Sequence, residues 1–304
     1  MENFKDIRDD QIRIIGEDEV SKNQRGISKK KLWTAIIFIV LIIVIASVVL
    51  AVSMKREEEL KKDEPAYFEP VEVIVKHEEK VIEKTLGKNV APDVKGFTEI
   101  IDTVINDIPL RLCIPHNAEM SLQIGMPSKK ETKIVYVAQA ADVRADNGGI
   151  VGAFVLKGEP LAWGLSKKGY CASINGKITI GMAENSPLFE QATEQGGYFF
   201  RQYPLVSNGV LVENEPKGKT KRRGLCERNG EILIVDSRTE ESFHDFAQAL
   251  VDLGVDQAIY LVGSSSYGWI VDENRVRHEF GNQNYYKSRR RMPRNTSYIV
   301  WRKK

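Results

Sequence analysis

Gly263, Ser264, Ser265 and Ser266 stand in a row directly behind the apolar run AIYLV, residues 258–262. One glycine and three hydroxyls at the end of a buried strand suit two roles. They can close a solvated turn, which these residue types favour. They can also cradle an anion, because glycine lets successive amides converge and serine adds donors. Arginine pairs with phosphate through a rigid fork of donors, and two arginines stand out. Arg223 lies in KGKTKRRGLCERNG and Arg238 follows the strand-like run EILIVDS. Asp236 ends that run, where a carboxylate can cap a helix, move a proton or activate water. Asp142, in AADVRADNGG, is a second carboxylate of the same kind.

Other chemistries find little support. His77, His116, His244 and His278 show no metal-ligand spacing, and Cys113, Cys171 and Cys226 form no CxxC pair. Neither a metal nor a cofactor is expected. The cysteines suit one disulfide plus a thiol, or three small buried apolar residues. The chain has 44 Lys and Arg against 42 Asp and Glu, a formal net charge of +2. That balance excludes a dedicated nucleic-acid binder. The basic run KSRRRMPR, 287–294, reads as a solvated loop.

These residues need a scaffold. EILIVDS and AIYLV read as strands. Between them EESFHDFAQALVDL carries apolar residues at 243, 246, 247, 250 and 251, an amphipathic helix closed by Gly254. Asn175-Gly176 separates two strand-like runs and predicts a hairpin. Phe97, Ile100, Ile101, Val104 and Ile105 are spaced as on a helix over 97–107. The expected fold class is α+β: a strand-rich mixed sheet with a few helices, over 96–304.

Residues 33–53 carry no charge. At about 1.5 Å per residue they span roughly 31 Å, the thickness of a bilayer core. They predict one transmembrane helix, between a polar arm (1–32) and a stalk (54–95). The Lys29-Lys30-Lys31 block beside it places the N-terminus in the cytosol and the C-terminal domain outside.

Taken in order, GGYFFRQYPLVSNG, RRGLCERNGEILIVDSR and ESFHDFAQALVDLGVDQAIYLVGSSS resemble the phosphodiester glycosidase family. That family has an arginine ahead of a glycine, a strand ending in Asp-Gly-Arg, a helix ending in Leu-Gly, and a strand running into a glycine–serine loop. By position, Arg223 matches the family arginine. Asp236 and Arg238 match Asp-Gly-Arg, with Ser237 at the glycine, and 263–266 match the loop. The resemblance implies a hydrolase acting on a sugar phosphodiester or a related envelope glycan. Arg223, Arg238 and the loop would hold the anion, with Asp236 and then Asp142 as catalytic carboxylates. Val262 stands where the family has an aspartate. It favours the alternative, a non-catalytic glycan- or protein-binding module of the same fold.

Overall fold

This computed structural model describes residues 47, 85–263, 265–284 and 294–304. Three antiparallel sheets make up the described domain. The first holds β1 (Phe97–Ile105), β2 (Ile108–His116), β10 (Pro204–Ser207), β11 (Val210–Leu211), β12 (Thr220–Arg228), β13 (Glu231–Glu241) and β14 (Gln257–Leu261). Its strand order is β1-β2-β13-β12-β14-β10-β11. The second holds β3 (Ala118–Ile124), β4 (Ile134–Gln139), β15 (Gly268–Val271), β16 (Arg277–Phe280) and β17 (Ser297–Lys303), in the order β16-β15-β4-β17-β3. The third holds β5 (Ala153–Leu156), β6 (Glu159–Trp163), β7 (Gly169–Ile174), β8 (Lys177–Met182) and β9 (Tyr198–Gln202), in the order β6-β5-β9-β7-β8.

Period-two alternation tells each strand which way to face. Cys113, Leu225, Ile234 and Leu261 point from the first sheet into a core shared with Tyr136 and Trp301 of the second and Phe154 and Phe200 of the third. Their neighbours Leu112, Cys226 and Val235 point the other way, against Phe246, Ala247 and Leu250 of the long helix Phe243–Asp252. Ser242 caps this helix, accepting a bond from the Asp245 amide at 2.9 Å. The second helix, Leu188–Glu194, covers part of the third sheet.

Three expectations need correction. The α+β class with a mixed sheet is replaced by a β architecture: every strand pairing among the described residues is antiparallel, and only two helices longer than one turn occur among them. The helix expected over 97–107 is the strand β1. Its residues pair with β2 from Phe97↔His116 to Ile105↔Ile108, and its β-branched content suits a pleated sheet. Asn106 (φ 49°) and Asp107 (φ 61°) make the two-residue turn between them. Finally, the single-pass placement with an exported domain is withdrawn, because no helix among the described residues is long and apolar enough to cross a membrane. The span expected over 33–53 lies, but for Ser47, outside the described residues, as does the stalk up to 84.

The expected elements around the site are present. EILIVDS lies in β13 and AIYLV, up to Leu261, in β14, with the long helix between them. They run in the same direction but do not pair; β12 is inserted between them. Asn175 (φ 51°) and Gly176 (φ 77°) close the expected hairpin between β7 and β8.

Candidate functional site

Four neighbouring strands of the first sheet, from the edge strand β1 inward, carry a row of alternating charge. Asp102 on β1 faces Arg111 on β2, Arg111 faces Asp236 on β13, and Asp236 faces Arg223 on β12. Directly opposed residues share a face of the sheet, so the four side chains form one line. Arg111 grips Asp102 with two bonds of 2.8 Å. Arg223 Nε donates to Asp236 Oδ1 at 2.5 Å. The Arg223 side chain is 7% exposed and that of Asp236 13%. Burial works to lower the Arg223 pKa; the charge and hydrogen bond of Asp236 outweigh it and hold the guanidinium above its ordinary value.

The sequence places Arg222 beside Arg223, and the strand sends them to opposite faces. A bulge between Lys221 and Arg223 adjusts the register at this point. Arg222 stacks on Phe243 at 4.0 Å and donates to the carbonyls of Glu241 and Gly218. Arg223 stacks on Phe280 at 4.1 Å. The Ser237 hydroxyl ties the bulge by accepting from the Arg222 amide at 2.8 Å.

The loop after β14 supports Arg223 from below. Arg223 Nη1 donates to the Val262 carbonyl and to Ser266 Oγ, both at 3.3 Å. Ser266 Oγ donates to the Val262 carbonyl at 2.5 Å. The Gly263 amide donates to the Tyr260 hydroxyl, and the Ser266 amide to the Gly263 carbonyl, each at 3.1 Å. These donors are spent within the protein. Gly263 is needed for close approach: a Cβ there would sit 2.6 Å from the Lys221 carbonyl oxygen. Ser265 is exposed, and Ser264 lies outside the described residues.

Above this floor is a cleft of about 640 Å³, lined in part by Lys221, Arg223, Asp236, Arg238, Gly263 and Ser265. Its opposite wall, Phe280 with Asn282, Gln283 and Asn284, was not anticipated from sequence. Three cationic side chains line it, Lys221, Arg223 and Arg238, against two acidic ones, Asp236 and Glu240; the Arg222 guanidinium lies on the other face of the strand. The lining thus carries an excess of one positive charge. Arg238 and Lys221 are exposed at the rim. The run Gly281-Asn282-Gln283-Asn284 directly after a strand was the available signal for the amide wall.

Asp142 is not part of this cleft. It follows β4 and contacts the Lys167 ammonium. Lys167 also reaches Gln202 Oε1 at 3.3 Å and sits 4.1 Å over the Tyr203 ring. Burial pushes the Lys167 pKa down to about 8. Its backbone is left-handed at φ 69°, a sparsely populated region for a lysine. The amide nitrogen of the adjacent Gln202 is buried without a partner.

Cys113, Cys171 and Cys226 are all free and buried, which settles the open reading in favour of small apolar residues. No group of three or more His, Cys, Asp or Glu among the described residues could hold a metal ion.

No family model matches the chain, and no curated protein matches it by sequence. Among solved structures, the catalytic domain of zebrafish N-acetylglucosamine-1-phosphodiester alpha-N-acetylglucosaminidase, auto-inhibited by its pro-peptide, is similar with a TM-score of 0.48 and 13% identity, over 72% of this chain and 85% of that one. A hypothetical protein from Synechocystis is similar with a TM-score of 0.44 and 12% identity, over 67% of this chain and 62% of that one.

Proposed function

We propose that the cleft over Arg223 binds a sugar phosphodiester. The observation that carries this reading is the buried Arg223 guanidinium, fixed by Asp236 at the floor, with Lys221 and Arg238 at the rim. Asp236 offsets the charge of Arg223 and Glu240 that of one rim cation, so one net positive charge remains for one phosphodiester charge. In the amide wall Gln283 Nε2 donates to Glu279 and Asn282 Oδ1 accepts from the Asn284 backbone; the exposed Asn284 carboxamide carries both a donor and an acceptor, which suits sugar hydroxyls. The volume lies within the ~300–1,000 Å³ of small-molecule sites.

The test is calorimetry with methyl glucose-1-phosphodiester, inorganic phosphate and neutral methyl glucoside. Arg238→Ala should weaken the phosphodiester about tenfold, as loss of one charge-assisted contact does, and added salt should weaken it further. Equal binding by parent and variant would overturn the reading.

A second reading is hydrolysis at the same cleft. It is favoured by one observation: Asp236 lines the cleft and bonds Arg223 through Oδ1. In this reading its other oxygen would take a proton from a water that attacks the anomeric carbon, with the phosphate monoester as leaving group. Position 262 offers a valine, so this reading rests on Asp236 without the second carboxylate usual in glycosidases. Release of free sugar by the parent and not by Asp236→Asn would establish it.

A further inference from the structure

A second cleft lies on the outer face of the third sheet. Cross-strand register builds its floor. Trp163 pairs with Ala153, and the β5–β9 register places Ala153 beside Arg201. These three residues share the face that holds Val155, Ala172 and Phe199. Farther along, that face is covered by Leu188, Phe189 and Ala192 of the short helix. The helix is seven residues, about 10 Å, and Phe189 and Glu190 of its first turn border the cleft that Trp163 lines. The segment Asn185–Pro187 forms the wall there, and the cleft between measures about 470 Å³.

Arg201 fixes wall to floor. It is 2% exposed and donates to the carbonyls of Lys167, Ala183 and Glu184 at 3.2, 2.8 and 2.7 Å. Its Nε is buried with no hydrogen-bond partner. Trp163 is 65% exposed and Leu165 62%, whereas Trp269 and Trp301 are 1% and 2% exposed. An indole kept in solvent beside a rigid, preformed wall costs apolar exposure for no folding gain.

We infer that this cleft is a saccharide-binding subsite, with Trp163 as the stacking platform for a neutral sugar ring. The lining chemistry selects that ligand class. A pyranose presents an apolar C–H face to an aromatic ring and hydroxyls at its edge, and Asn185 and Glu190 stand at the edge of this platform. A strand-adding protein partner fits less well, because Pro160 removes a donor from the edge strand β6. The choice of ligand class rests on the glycan reading of the Arg223 cleft.

The experiment is calorimetry on the full chain with neutral tetrasaccharides of β-1,4-glucose, β-1,4-N-acetylglucosamine, β-1,3-glucose and α-1,4-glucose, up to about 10 mM. At least one should bind. Trp163→Ala should weaken it about tenfold and Trp163→Phe should restore part of the loss. Arg238→Ala, an exposed rim substitution, should leave it unchanged, and that arm separates this subsite from the phosphodiester cleft. The inference is overturned if none of the four binds, or if Trp163→Ala binds like the parent. Failure of methyl glucose-1-phosphodiester to bind, with Trp163-dependent tetrasaccharide binding intact, would sink the first cleft's reading and leave this one standing.

Discussion

Arg223 and Asp236 oppose each other across β12 and β13, with Nε and Oδ1 2.5 Å apart, and the same Asp236 faces Arg111 on its other flank. The carboxylate therefore has a structural task whatever else it does. It compensates a guanidinium that the first sheet buries against Phe280. Removing one partner of such a pair leaves an uncompensated buried charge, at a cost of about 3–5 kcal/mol. Asp236→Ala is expected to lose that much in urea unfolding. The double variant Arg223→Met/Asp236→Leu should recover most of it, since both charges are then gone. A single variant within about 1 kcal/mol of the parent would contradict the role assigned to the pair.

The loop that holds Arg223 depends on a missing side chain. A methyl at Gly263 would meet the Lys221 carbonyl at 2.6 Å, and backbone cannot rotate away as a side chain can. Gly263→Ala should force β14 and β12 apart at the cleft floor, costing about 1–3 kcal/mol. Because Arg223 bonds Val262 and Ser266 in this loop, phosphodiester affinity should fall along with stability. Thermal unfolding beside calorimetry checks both; unchanged values in the two would refute the close-approach argument.

The hairpin joining β1 to β2 asks for left-handed backbone at two successive residues, and supplies Asn106 and Asp107. Glycine fits the second position without the Cβ penalty. Asp107→Gly is expected to stabilise the domain by about 0.5–1 kcal/mol, a rise of roughly 1–4 °C in Tm. A fall in Tm would mean that the Asp107 side chain contributes more than the turn geometry does.

The same hairpin shows where sequence reasoning stops. Phe97, Ile100, Ile101, Val104 and Ile105 satisfy helical spacing, yet β1 is a strand. Its apolar residues fall on both faces, because sheet pairing and burial override a short-range period. The Asn-Gly turn at 175–176 and the long helix were legible because their signals are local: a turn demanding positive φ, and a sustained amphipathic period. Arg223, Asp236 and Arg238 were legible as an ordered set of motifs. The row Asp102, Arg111, Asp236, Arg223 was not, because it exists only through the strand order β1-β2-β13-β12, which joins residues more than 100 positions apart. Asp142 reads in sequence as a second carboxylate after Asp236, and the fold sends it to Lys167 instead.

Lys167 makes a pH-dependent contribution whose sign follows from its burial. Its folded pKa is down at about 8, against an ordinary 10.5. Between those values the unfolded chain binds more protons than the folded one, so stability must rise with pH across the window. Below about pH 8 the full cost of a buried ammonium is present; above about 10.5 it is gone. Relative to Lys167→Met, the parent should therefore gain stability between pH 7.5 and 10 in urea titrations. The Asp142 carboxylate, in contact with the ammonium, favours its charged form. Asp142→Asn should accordingly lower the Lys167 pKa further, as read from the pH dependence of its side-chain NMR signal. Parallel pH profiles for parent and Lys167→Met would remove the titration from Lys167, and an unmoved pKa in Asp142→Asn would show that the contact does not govern it.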